Sequence, residues 1–252
     1  MNHQTGPFDD TLIDVRNATA ASKVVIVCEH ASAHIPATFN NLGLSDDALQ
    51  SHIAWDPGAM AVATRMMDAL DAVLIAAKTS RLVYDCNRPP DAHDAMPARS
   101  EVFDVPGNAG LSAEQKTARV VGYYEPFRTT VAQIMERIAD PVLVTVHSFT
   151  PVYHGAMRDV EIGILHDSDA RLADALLSNA DTDHIVRRNE PYGPSDGVTH
   201  TLKEHGLAGG HLNVMLEIRN DLIANVADQA AMADMLAAWI ASALAKTEAA
   251  AC

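Results

Sequence analysis

Val24-Val25-Ile26-Val27-Cys28, running straight into Glu29-His30-Ala31-Ser32, decides how the rest of this chain is read. Five consecutive apolar residues, four of them β-branched, form the pattern of a strand buried on both faces, as in a parallel sheet covered by helices. Further strand-like runs recur at residues 72–76, 82–86, 142–147, 160–165, 185–187 and 214–218. Helical patterns lie between them. One covers residues 45–52, with Ser45-Asp46-Asp47 as its start, and another opens near Asp56-Pro57 and runs to Leu70. Ser112-Ala113-Glu114-Gln115 is a capping box that opens a long helix to about Ile138, with a bend expected at Pro126. Residues 168–180 and 226–245 complete the set, and the apolar stripe Met232, Met235, Leu236, Trp239, Ile240 and Ala243 of the last helix faces a core. Alternating β and α patterns predict an α/β fold: one domain over residues 1–252, its mixed, mostly parallel sheet flanked by helices on both faces.

Composition narrows the function. The chain has 252 residues, 48 % of them hydrophobic, enough for a core without disulfides or a structural metal. Thirty-three acidic residues against 18 basic give a net charge of -15, which argues against nucleic acid or an anionic membrane as partner. Cys28, Cys86 and Cys252 form no CxxC pair, so neither a disulfide framework nor a cysteine zinc site is expected. No apolar run reaches the ~18 residues of a membrane span, and the first 17 residues lack a leader pattern. The expectation is a cytoplasmic protein.

In open α/β sheets, ligands bind outside the carboxyl ends of the strands. The residues there form a chemical set: Glu29-His30 after the first run, Asp85-Cys86-Asn87-Arg88 after 82–86, His147-Ser148 after the fourth, and Glu217-Ile218-Arg219 in the last. His30 and His147 are candidate metal ligands, with Asp56 or Glu29 as the third, because catalytic zinc takes three protein ligands and leaves one position for water. Glu217 is the candidate general base. Arg81, Arg88 and Arg219 offer planar guanidinium forks for a substrate carboxylate. His3, His93, His184, His200 and His205 read as surface or loop residues. Other chemistry lacks its motif: there is no HExxH, no GxSxG, no GxxxxGK[ST] and no GxGxxG. Residues 87–110 form a long irregular stretch, read as a lid with Arg99, Ser100 and Asn108 toward the ligand.

These blocks resemble the N-formylglutamate amidohydrolase family. The resemblance runs through residues 25–32, His52-Ile53-Ala54-Trp55-Asp56-Pro57-Gly58-Ala59, residues 80–90, Thr145-Val146-His147-Ser148-Phe149 and residues 216–221, in family order. It implies a fold like that of the zinc carboxypeptidases and aspartoacylase, and one Zn2+ per chain. It also implies metal ligation by His30 and His147, a substrate grip by Asn87-Arg88, and Glu217 as the base. The His-x-x-Glu of the carboxypeptidases is missing, since Ala33 stands at the glutamate position, and Asp56 becomes the expected third ligand. The implied reaction removes a formyl or similar small acyl group from an N-acylated amino acid such as N-formyl-L-glutamate. Cleavage of a short peptide, or carboxylate binding without catalysis, are the alternatives.

Overall fold

The computed structural model describes residues 11–251; His3, Cys252 and the first ten residues of the stretch read above for a leader lie outside them. Seven strands form the main sheet: β1 (Ile13–Arg16), β2 (Val24–Cys28), β3 (Val73–Ala77), β6 (Val142–Phe149), β9 (Ile162–Leu165), β10 (Val186–Arg188) and β11 (Asn213–Arg219). Two small hairpins, β4–β5 (Arg99–Ser100, Phe103–Asp104) and β7–β8 (Val152–Tyr153, Ala156–Met157), stand apart from it. The sheet order is β1-β3-β2-β6-β11-β9-β10. The four central strands are parallel, whereas β1 runs antiparallel to β3, and β9 antiparallel to β11.

The double-faced reading of β2 holds, because all five of its residues are buried. Val24, Ile26 and Cys28 join Leu74, Val144 and Leu216 against α2 (Ala59–Leu70), α5 (Arg171–Leu177) and α6 (Val226–Ala251). Val25 and Val27 join Ile75, Leu143 and Met215 against α4 (Glu125–Arg137) on the opposite face. This alternation follows from the two-residue period of a strand. The sheet is thus a mixed, mostly parallel layer between two helical layers. Among the described residues, no helix is long and apolar enough to cross a membrane.

Four local expectations change. Residues 82–86 are not a strand, although Leu82, Val83 and Tyr84 are buried. Turn hydrogen bonds satisfy this backbone instead, from Val83 to Ser80, Asp85 to Ala95 and Arg88 to Asp85, so the apolar run fills the core without joining the sheet. The helix expected from Asp56-Pro57 begins at Ala59, after α1 (Asp46–Gln50) and a turn. Gly58 caps it at φ 83°, and a Cβ there would lie 2.7 Å from the Ile223 carbonyl, so only glycine fits. The bend expected at Pro126 is a π-helical turn at Val120–Tyr124, joining α3 (Ala113–Arg119) to α4, with Pro126 in the first turn of α4. The edge strand β1 has no clear sequence pattern, and α5 is shorter than residues 168–180.

Candidate functional site

Register places the polar strand ends. Glu217 pairs with His147 across β11 and β6, and β2 runs in register with β6 up to Val27 opposite Thr145. Two residues further on, Glu29 stands 3.1 Å from His147, Oε2 to Nε2, although poorly aligned for a hydrogen bond. Glu29, His147 and Glu217 therefore form a row on one face. His30, one residue past Glu29, turns the other way as β2 ends.

Asp56 enters from the turn before α2, where its backbone N–H donates to the His30 carbonyl. Asp56 Oδ2 is 3.2 Å from His30 Nδ1 and 2.9 Å from His147 Nδ1, and the two Nδ1 atoms are 3.2 Å apart. A tetrahedral metal with bonds of ~2.0 Å separates its ligand atoms by roughly 3.3 Å, so this triangle has the dimensions of a zinc site. Among the described residues, His30, Asp56 and His147 are the group that could hold a metal ion.

The opposite ring nitrogens also meet carboxylates. His30 Nε2 lies 2.7 Å from Asp85 Oδ1, and His147 Nε2 faces Glu29. Asp85 accepts from His30 Nε2 and so fixes that tautomer, while the charge of Glu29 favours a proton on His147 Nε2, which leaves both Nδ1 lone pairs for a metal. Glu29 thus stands behind His147, outside the triangle. Arg81 donates to Asp85 at 2.8 Å and reaches Asp56 at 3.4 Å, so one guanidinium offsets two buried acids. The Ser148 amide donates to Asp56 Oδ2 at 3.2 Å.

These contacts oppose the cost of burial. Burial alone would raise the Asp56 and Asp85 carboxyls, but the histidines, and for Asp85 also Arg81, hold both below the ordinary range. Burial would lower His147, yet Glu29 and Asp56 raise it well above the usual imidazole value. Glu217 behaves differently: burial pushes it up to about 7, and its Oε2 has no hydrogen-bond partner. A partnerless oxygen on a carboxyl group of near-neutral pKa suits proton transfer.

All these groups except Glu29 open on a cavity of about 560 Å³. Arg88 lines it, bound to Asp94 at 2.7 Å, and so do Arg99 and Ser100 of the expected lid. Asn87 also lines the cavity, but it spends its side-chain amide on the Val198 carbonyl and the Thr201 N–H, and so braces the loop behind Arg88. Two other candidates lie elsewhere. Asn108 is buried in bonds to Leu82, Pro97 and Arg119, away from the cavity. Arg219 is off the cavity lining, paired with Glu161 and Asp221. Neither His200 nor His205 is a free surface residue: Tyr124 Oη lies 2.8 Å from His200 Nε2, and burial lowers His205 to about 4. Sequence reasoning leaves Arg158, Tyr153 and Tyr192 out of the site, since Tyr153 lies in the two-residue strand β7 and the other two in loops, with no periodic signal.

Residues 22–224, which are most of the chain, match the N-formylglutamate amidohydrolase family. The chain belongs to that family. An amidohydrolase role follows from this membership. A gene product of Agrobacterium tumefaciens is 52 % identical, with a TM-score of 0.93 over 96 % of this chain and 99 % of that one. The N-formylglutamate amidohydrolase of Ralstonia eutropha JMP134 is 17 % identical, with a TM-score of 0.59 over 91 % of this chain and 98 % of its own, and shares the fold. Among curated proteins, none matches the chain.

Proposed function

We propose that this amidohydrolase is metal-dependent and removes a formyl or similar small acyl group from an N-acylated amino acid of the N-formylglutamate type. The observation that carries the reading is the His30–Asp56–His147 triangle, opening on the same cavity as the partnerless oxygen of Glu217. His30, Asp56 and His147 would hold one Zn2+, which when bound acidifies a water molecule and polarises the amide carbonyl.

The chain's own residues supply the rest. Glu217 accepts the proton of the attacking water at Oε2 and returns it to the leaving nitrogen, so the amine departs neutral. Glu29 and Asp85 keep the imidazoles aligned, and Arg81 helps His30 hold the Asp85 carboxylate ionised. Arg88, set by Asn87 and Asp94, has a guanidinium edge left to meet a carboxylate at the cavity wall. Arg219 acts from behind, by fixing the backbone of the cavity wall.

The test is a panel of N-formyl-, N-acetyl- and N-carbamoyl-amino acids and short peptides, offered to protein with and without added zinc. Zinc-dependent release of formate from an N-formyl amino acid is expected. Cleavage confined to peptides would favour the peptidase chemistry, and binding without turnover would favour a carboxylate-binding protein.

A further inference from the structure

Four arginines line the cavity, and three already face a carboxylate: Arg81 faces Asp56 and Asp85, Arg88 faces Asp94, and Arg99 faces Asp104. Arg158 is the exception. Among the described residues, no carboxylate lies within ion-pair distance of it. Its guanidinium donates only to neutral acceptors, the Thr150 carbonyl at 3.3 Å and the Tyr192 hydroxyl at 2.9 Å.

The setting holds this cation without neutralising it. The rings of Tyr153, Tyr192 and Phe149 lie 4.4, 4.9 and 5.5 Å from the guanidinium carbon. Aromatic faces attract a guanidinium and fix its plane, yet they leave its in-plane N–H edges free for a bidentate anion. The backbone is fixed as well. Arg158 N–H donates to the Pro151 carbonyl beside the β7–β8 hairpin, and Arg219 Nη1 donates to the Arg158 carbonyl at 3.2 Å. Arg219 is in turn held by Glu161 and Asp221.

A charge so oriented, and left without a counter-ion inside a cavity, is matched to an anionic ligand. We propose that Arg158 binds a carboxylate of the substrate and is the specificity-determining cation of this cavity. The proposal rests on the amidohydrolase reading and adds to it the residue that selects for negative charge.

The test compares wild type with Arg158→Met and Arg158→Lys on N-formylglutamate, on N-formylglutamine, and on the α-amide of N-formylglutamate. With Arg158→Met, KM for N-formylglutamate should rise roughly 10- to 100-fold, the worth of a charge-assisted hydrogen-bonded pair, while kcat changes less. For one of the two amides, the one lacking the carboxylate that Arg158 reads, KM should not respond to the substitution. Arg158→Lys should fall between, and added guanidinium should restore part of the loss in Arg158→Met. An equal rise in KM for all three compounds, or no rise at all, overturns the assignment.

Calorimetric titration with glutarate needs no turnover. Weaker glutarate binding in Arg158→Met supports the anion site even if no N-formyl amino acid is cleaved, in which case only the amidohydrolase reading fails. Equal glutarate binding by both proteins, or none by wild type, overturns the assignment of Arg158 itself.

Discussion

Two buried polar clusters in this protein make opposite use of the same kinds of group. In one, Arg119 donates to the Val83 and Gly107 carbonyls and to Asn108 Oδ1, while Asn108 Nδ2 donates to the Leu82 and Pro97 carbonyls. The Phe39 ring covers the guanidinium at 4.8 Å. The Asn108 amide is fully engaged, and three Arg119 N–H groups go to neutral acceptors within the cluster, so its bonds close on themselves and brace the loop. In the other, two histidine nitrogens and a carboxylate oxygen converge within 3.2 Å of one another, and Glu217, which lines the cavity, keeps Oε2 without a partner. Buried polar atoms are nearly always satisfied in folded proteins, so a cluster that leaves some open marks chemistry rather than architecture.

That contrast can be broken most decisively at the open cluster. His147→Ala should abolish metal binding as well as turnover: elemental analysis should fall from one zinc per chain to none, with the fold retained by circular dichroism. Two metals per wild-type chain, or full retention in the variant, would remove the triangle from the mechanism. Glu217→Gln should keep the metal and substrate affinity while kcat falls by roughly 10²–10⁴, the usual share of general acid–base catalysis. Near-normal turnover there would make Glu217 a bystander.

The closed cluster should respond in stability instead of turnover. Asn108→Ala leaves one Arg119 N–H and two carbonyls short of partners, and should cost about 3–4 kcal/mol of stability in urea unfolding. KM and kcat of the protein that remains folded should be unchanged. A drop in kcat with normal stability would show that the two clusters are not separable.

The smallest effect concerns pH. Burial pushes the Glu217 carboxyl up to about 7, against an ordinary 4.5. The folded state therefore binds the extra proton between those values, and the metal-free protein loses stability as pH rises through that window, by up to about 3 kcal/mol once above 7. Glu217→Gln lacks this loss, so its urea midpoint should gain on wild type between pH 5 and pH 8. Parallel midpoints across that range would mean that Glu217 is not held protonated by burial.

Much of this site is legible in the residues. The β-branched runs locate the strands that carry His147 and Glu217 and the one that leads into Glu29 and His30. Arg88 lies where its position in the chain suggests, on the cavity wall. Arg219 does not: it is two residues beyond Glu217, and salt bridges to Glu161 and Asp221 hold it off the cavity lining. The apolar stretch at 82–86 misleads for a related reason. Hydrophobicity reports burial, and a buried turn is as apolar as a buried strand until its hydrogen-bond partners are known.

The sequence by itself determined the layered α/β fold, the face each strand residue presents, and the kinds of group gathered at the strand ends. These follow from short-range periodicity and from the chemistry of side chains. Only tertiary contacts bring Asp56, the third ligand already expected, against both histidines, set Glu29 behind His147, and leave Arg158 as the cavity arginine without a counter-ion. His30 and His147 are 117 residues apart, and Asp56 and His147 are 91 apart. Such meetings are set by strand register and by the turns at Gly58 and Ser80, where the local pattern carries no information about which distant charge will arrive.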